Sequence, residues 1–340
     1  MHRCWNESAC IGIKKGEDES PNYKKLVKVE NRNVQNHTIT IIKSKENLAK
    51  NVVEMLTYLE LKLNQLRMLA YNSTFPEYMK SSEELITRGN PFWLADKLGS
   101  MKGWPRNEPK NLPKVSRMRC IPDLEPILSD METFPVIPVA NEKMWMFFNM
   151  ATTIEYAKTF TFFQKLDLKD QTVLIRHVTL ICMNLHNSYF AVSQKIQKCM
   201  QPDGTEDPQN DEYHFPVFSM SLAPLIRCNI QETEYMLLKA ICLCNPSQLT
   251  TIHGLSEHAQ SIISKERQQF SNVLLDYCLR NRRDGPSRFA ELIGIIPVLV
   301  HQQRLQKDIH IYHIAPIIST FPHVPQRNLI QRFTYYGTFR

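Results

Sequence analysis

Residues 154–176 read IEYAKTFTFFQKLDLKDQTVLIR. Phe162 and Phe163 are placed to bury under a turn, Asp167 stands where a helix N-cap belongs, and Asp170 adds a second acid in the first turn of the next helix. The stretch therefore reads as two helices joined by a capped turn. Downstream, Thr172–Leu185 (TVLIRHVTLICMNL) is apolar nearly all round, as expected of a helix covered on both faces. Upstream, a helix is expected from about Lys143 to Phe160, and its first turns, Met144 to Phe148, are apolar on every side. Two such helices demand a middle layer.

Working outward, apolar residues after Leu48 recur at Val52, Met55, Leu59, Leu63, Leu66 and Ala70, with Glu54, Lys62 and Arg67 off that stripe, which predicts one amphipathic helix. Further helices are expected near 217–227, 231–244, 255–281 and 287–313, separated by turn residues at Asp203-Gly204, Asn245-Pro246 and Asp284-Gly285-Pro286. The expected fold is all-α, a three-layer antiparallel helical sandwich in one domain, with at most one small β-hairpin in the polar insert Gln201–His214.

Tyr156, Ala157, Lys158, Phe162, Phe163, Leu166, Asp170, Gln171, Leu174 and Arg176 follow, without a gap, a pattern that resembles the helix 3 to helix 4 signature of nuclear hormone receptor ligand-binding domains. Glu234–Pro246 (EYMLLKAICLCNP) is similar to helix 8 of that domain, and Arg288–Val300 (RFAELIGIIPVLV) to its helix 10 dimerisation segment. Thr57–Tyr71 (with YLELKLNQLR), Leu94–Pro105 (with ADKLGSMKGWP) and Gln201–Gly204 resemble the nematode-expanded, hepatocyte-nuclear-factor-type branch. The resemblance implies a ligand-binding domain over 46–322, flanked by a polar, basic extension at 1–45 expected to be disordered and a C-terminal tail at 323–340.

Composition agrees and narrows little. The chain has 340 residues, 43% of them hydrophobic, enough for a large core. No apolar run approaches the roughly 18 residues that a spanning helix needs, and the N-terminus has no apolar signal segment, so no membrane association is expected and Asn6, Asn36 and Asn72 are chance glycosylation triplets. Nine cysteines scattered from Cys4 to Cys278 read as core residues rather than a disulfide framework. The formal charge of +7 is concentrated in residues 1–50 and 96–119, both read as extensions or loops, which suits solvated surface better than base reading.

No enzyme chemistry is expected. The ten glycines form no dinucleotide fingerprint, phosphate loop or nucleophile elbow. Cys4 and Cys10 have the spacing that opens the second zinc module of the family's DNA-binding domain, but the next cysteine is Cys120 and four thiolates are needed. His310 and His313 near Asp308 lack a fourth ligand. The expectation is no metal, no zinc DNA-binding domain in this chain and no specific nucleic acid contact.

What the resemblance implies is a binding module. Trp145, Met146 and Asn149 on one helix, with Met183, Asn187 and Phe190 at i, i+4 and i+7 on another, match positions that line the family's ligand pocket. Phe190 stands where carboxylate-binding members hold an Arg, so the expected ligand is neutral, lipid-like or steroid-like. Lys158, Gln171 and Arg176 match the groove that grips amphipathic coregulator helices, yet no Asp or Glu follows Asp308 to supply the opposing acid. Phe289, Leu292, Ile293, Ile296, Leu299 and Val300 exceed a single core stripe and match the dimer helix, implying a homodimer or a heterodimer with another nuclear receptor. The reading is a transcription regulator of the nucleus, with the cytoplasm as a second location. Its alternative is a ligand-independent dimerisation or sequestering protein that keeps only the fold.

Overall fold

The computed structural model describes residues 46–69, 80–89, 145–206, 215–245 and 254–320, together with 91, 96, 99–101, 103–108 and 143; side chains are described to residue 309. The expected extension, the C-terminal tail, the Cys4–Cys10 pair, the side chains of His310 and His313 and the second half of the polar insert lie outside what is described. The chain divides after Asn51 into two units, and the account below concerns the unit from Val52.

Helix α1 runs over residues 46–68, of which 52–68 belong to this unit. Val52, Leu56, Leu59, Leu63 and Leu66 are buried, whereas Met55 is exposed. Leu56 takes the place of Met55 because the buried face is centred on Leu56, Leu59, Leu63 and Leu66, and Met55 stands about 100° round the helix from Leu56, beyond its edge. The same rotation puts Glu60 and Arg67 inside, at 3% and 1% exposure, so Arg67 is a core residue and not the surface charge its sequence setting suggested.

Short helix α2 (Ser82–Thr87) follows. Next come α3 (Trp145–Lys158), the single turn α4 (Thr161–Gln164) and the long α5 (Leu168–Ser193). Every residue from Phe147 to Ala157 in α3 and from Val178 to Ser188 in α5 is buried, which is what the all-round apolar sequence required. Phe162 and Phe163 are buried in α4 as expected. Asp167 holds the N-cap backbone conformation of α5 without a side-chain capping bond. The working acid is Asp170, which accepts from Ser256 N at 2.9 Å and Ser256 Oγ at 2.6 Å and so ties α5 to the start of the ninth helix.

The second half of the domain contains α6 (Phe215–Phe218), α7 (Leu222–Cys228), α8 (Glu232–Leu243), α9 (Glu257–Asn281), α10 (Gly285–Ile293) and α11 (Ile295–Thr320). The single helix expected over 287–313 is broken at Gly294. Pro297 explains the break: it has no N–H for the carbonyl four residues back, at Ile293, and its ring clashes there. Helix α5 packs on α2 and α3 on one side and on α7, α8 and α11 on the others, while α8 packs on α9 and α10. That is the layered all-α sandwich. Among the described residues there is no sheet; in the described first half of the insert one isolated bridge joins Met200 to Glu206 across a turn in which Gly204 takes φ of 86°. The six described cysteines are all buried and free.

Candidate functional site

Four of the six residues expected to line a ligand site converge around Arg67 of α1. Its guanidinium carbon lies 5.7 Å from the Trp145 ring centre and 5.4 Å from that of Phe190. Its Nη2 donates to Asn187 Oδ1 at 3.2 Å and to Gln201 Oε1 at 2.9 Å, and the latter oxygen also accepts from Asn149 Nδ2 at 3.1 Å. Met183 is buried in α5 but makes no described contact with this cluster, and Met146 is only half-buried. Asn149 Oδ1 and Trp145 Nε1 are among the buried polar atoms of the cluster that have no hydrogen-bond partner among the described residues. One accepts and the other donates. Buried orphans of this kind are uncommon and costly.

Lys143 is the second cation here. Its Nζ donates to Arg67 O at 2.9 Å and sits 4.2 Å from the Phe148 ring centre. Burial, reinforced by the Arg67 charge and opposed by Asp203, pulls its pKa from 10.5 down to about 7. Across that interval the unfolded chain holds a proton that the folded chain lacks, so stability rises with pH from about 7 upward and the full charging cost is present below. Lys143→Met should flatten the urea-midpoint profile between about pH 7 and 9 and raise stability at pH 6 by a few kcal/mol, on the order expected from such a shift. An unchanged slope would count against it.

A second buried cluster was not foreseen from sequence. Lys239 Nζ meets Glu60 Oε1 at 2.5 Å, and Tyr235 donates to Glu60 Oε2 at 3.1 Å. With its proton so engaged, Tyr235 accepts from His186 Nδ1 at 2.6 Å. Burial holds His186 well below and Tyr235 well above their ordinary pKa values, so both are neutral at physiological pH.

On the opposite flank of α3, Lys158 Nζ lies 2.8 Å from Glu155 Oε2 and donates to Leu85 O at 3.0 Å and Arg88 O at 2.8 Å. Arg88 Nε reaches Glu155 Oε1 at 3.0 Å, and Arg176 Nη2 reaches Glu83 Oε1 at 3.0 Å. Burial raises the Glu155 carboxyl against the pull of Lys158 and Arg88. Gln171 Nε2 donates to Phe163 O at 2.9 Å, holding the turn before α5. Lys158 and Arg176 therefore both meet residues of α2, while Gln171 turns to a backbone carbonyl.

The residues expected to form a dimer surface divide. Leu292 and Leu299 are fully buried and Ile296 is 8% exposed, so these three belong to the core of one chain; Phe289, Ile293 and Val300 are only half-covered. Nearby, Arg288 grips Glu234 with Nε to Oε1 at 2.9 Å and Nη2 to Oε2 at 2.5 Å, a two-point pairing that fixes α10 to α8.

The family model of the ligand-binding domain of nuclear hormone receptor matches residues 129–313. The chain belongs to the nuclear hormone receptor family. It is 40% identical over 285 residues to the Caenorhabditis elegans nuclear hormone receptor family member nhr-60, covering 83% of this chain and 60% of that protein. The same worm's nhr-154 is 33% identical over 221 residues, 58% of this chain and 46% of that protein. Its nhr-136 is 37% identical over 177 residues, 49% and 40% respectively. The chain thus spans between two fifths and three fifths of the length of these receptors.

Within this nuclear receptor domain, Arg67 changes the electrostatics expected at Phe190. The neutral-ligand expectation rested on a missing cation, and a guanidinium from α1 now stands 5.4 Å from that ring. What still favours neutrality is that Arg67 already bonds Asn187 and Gln201. Arg67 and Glu60 are seven residues apart, on one flank of α1, which was the available signal for both. Among the described residues no cluster of His, Cys, Asp or Glu has the makings of a metal site, and no helix is long and apolar enough to cross a membrane.

Proposed function

We propose that this domain is the ligand-binding module of a nuclear-receptor-type transcription regulator acting in the nucleus. It takes a small, largely apolar, neutral ligand between α1, α3 and α5. It engages amphipathic coregulator helices at Lys158, Gln171 and Arg176, pairs through the outward side of α10 and α11, and makes no sequence-specific DNA contact of its own.

The observation that carries the ligand reading is the pair of buried orphans, Asn149 Oδ1 and Trp145 Nε1, beside Arg67. A hydroxyl on a lipid-like or steroid-like skeleton would donate to the first or accept from the second, relieving a desolvation cost of about 1–3 kcal/mol for each group satisfied. A second reading, a ligand-free scaffold that dimerises or sequesters a receptor, is favoured by the bonds that already engage Arg67 with Asn187 and Gln201.

Native mass spectrometry of the purified chain separates the two. The ligand reading expects a bound neutral species of lipid size and its loss in Asn149→Leu, with the variant still folded by circular dichroism. Bare protein that no hydroxylated lipid stabilises thermally would support the scaffold instead.

A further inference from the structure

Lys158 and Arg176 are both engaged within the chain, and by the same element. Helix α2 lies against α3 and α5, and its buried residues are Ser82, Leu85 and Ile86. Those positions are i, i+3 and i+4, the stripe by which a short amphipathic helix seats in an apolar groove. At its C-terminal end the carbonyls of Leu85 and Arg88 accept from Lys158 Nζ, and at its first turn Glu83 meets Arg176. One turn and two turns back from Lys158, on the same face of α3, Ile154 and Ala151 are 0% and 5% exposed; Thr172, one turn back from Arg176 on α5, is 5% exposed.

We infer that α2 is a resident occupant of the coregulator groove, a helix in cis that an external coregulator helix must displace. The inference rests on the reading of Lys158 and Arg176 given above as the groove's basic pair. Its strongest support is the other end of α2. A docked helix needs its free N-terminal N–H groups satisfied, a task that falls to an acid across the groove when the helix comes from a partner. In α2 the acid is internal: Ser81 Oγ accepts from Glu84 N at 3.2 Å, and Glu84 Oε2 accepts from Ser81 N at 2.6 Å. This capping box satisfies the first turn of α2 from within its own sequence.

Tethering works in the same direction. Ten residues separate Leu69, just past α1, from Lys80, and a covalent connection that short keeps α2 at a local concentration far above that of a free partner. Alone, six residues do not hold a helix in water, so α2 released from the groove loses its structure. Occupied and vacated grooves are thus two distinct states, with Lys158 exchanging one pair of carbonyls for another.

The test is a fluorescence titration with a labelled Leu-x-x-Leu-Leu peptide against the parent, Leu85→Asp/Ile86→Asp, and the milder Glu83→Ala/Arg88→Ala, whose changed side chains are only partly buried. The expected result is at least tenfold tighter binding by each folded variant than by the parent, reversed when Lys158→Ala is added. Amide exchange supplies a readout within the parent: Leu85 N and Arg88 N, bonded to Ser81 O and Glu84 O, should lose protection when saturating peptide is added. Equal peptide affinity in parent and variants, or protection that survives saturation, overturns the cis occupant and leaves the groove reading standing. Failure of every folded protein to bind peptide overturns the groove reading itself.

Discussion

Glu60→Leu should lose about 3–5 kcal/mol of unfolding free energy, and Lys239→Met a similar amount, while the double replacement should recover most of the loss. Lys239 is 1% exposed and Glu60 3%. Removing the carboxylate leaves an ammonium whose other described neighbours include the faces of Tyr156, 4.2 Å from Nζ to the ring centre, and Tyr235, at 5.7 Å. An attraction to ring faces of about 2 kcal/mol does not replace a bonded counter-charge. Removing the lysine instead strands Glu60 with Tyr235 as its one described hydrogen-bond donor. Replacing both by apolar groups of similar size removes the desolvation cost along with the attraction, which is why the pair together costs less than either half. Urea unfolding followed by circular dichroism gives the three values. Losses that simply add in the double mutant would show that the two side chains are not coupled.

Glu60 lies two turns before Arg67 on α1, so the pair also fixes the helix that carries the buried guanidinium. This explains why the sequence revealed the frame of the domain and not its polar interior. The signature residues Tyr156, Phe162, Phe163 and Leu174 all became core, because each follows from local spacing and bulk. Arg67, by contrast, meets Asn187 and Gln201 across 120 and 134 residues, and Glu60 meets Lys239 across 179. Nothing local marks a charged residue as buried when its partner is that distant; only the helix arithmetic placing residues 56, 60, 63 and 67 on one flank hinted at it. Helix α2 was more legible than the reading allowed, since Ser81-Ser82-Glu83-Glu84 is a capping-box pattern followed by Leu85 and Ile86. The break at Gly294 was legible too, in Pro297. Among the expected site residues, Trp145, Asn149, Asn187 and Phe190 came together because i, i+4 and i+7 on facing helices is geometry; Met183 shares the spacing but has no described contact there.

The same distinction between spacing and burial decides how the dimer proposal is tested. Leu292→Arg and Leu299→Arg look like interface mutations in sequence, but both side chains are fully buried within one chain. Placing a guanidinium at either position should cost more than about 4–5 kcal/mol, a large share of the roughly 5–15 kcal/mol that holds a domain folded. Together they should give unfolded or aggregated protein rather than a monomer. Phe289 and Val300 are half-covered and belong to the outward side of α10 and α11. Phe289→Arg/Val300→Arg replaces apolar surface without filling the core with charge, so the variant should keep its helical spectrum and sediment as a monomer at concentrations where the parent sediments as a dimer. The burial contrast makes the two results independent: loss of fold for the inward pair tests the packing of α10 and α11, and loss of association for the outward pair tests the interface. A parent that is monomeric at high concentration, or an outward variant that sediments like a dimeric parent, would place any association surface elsewhere on the domain.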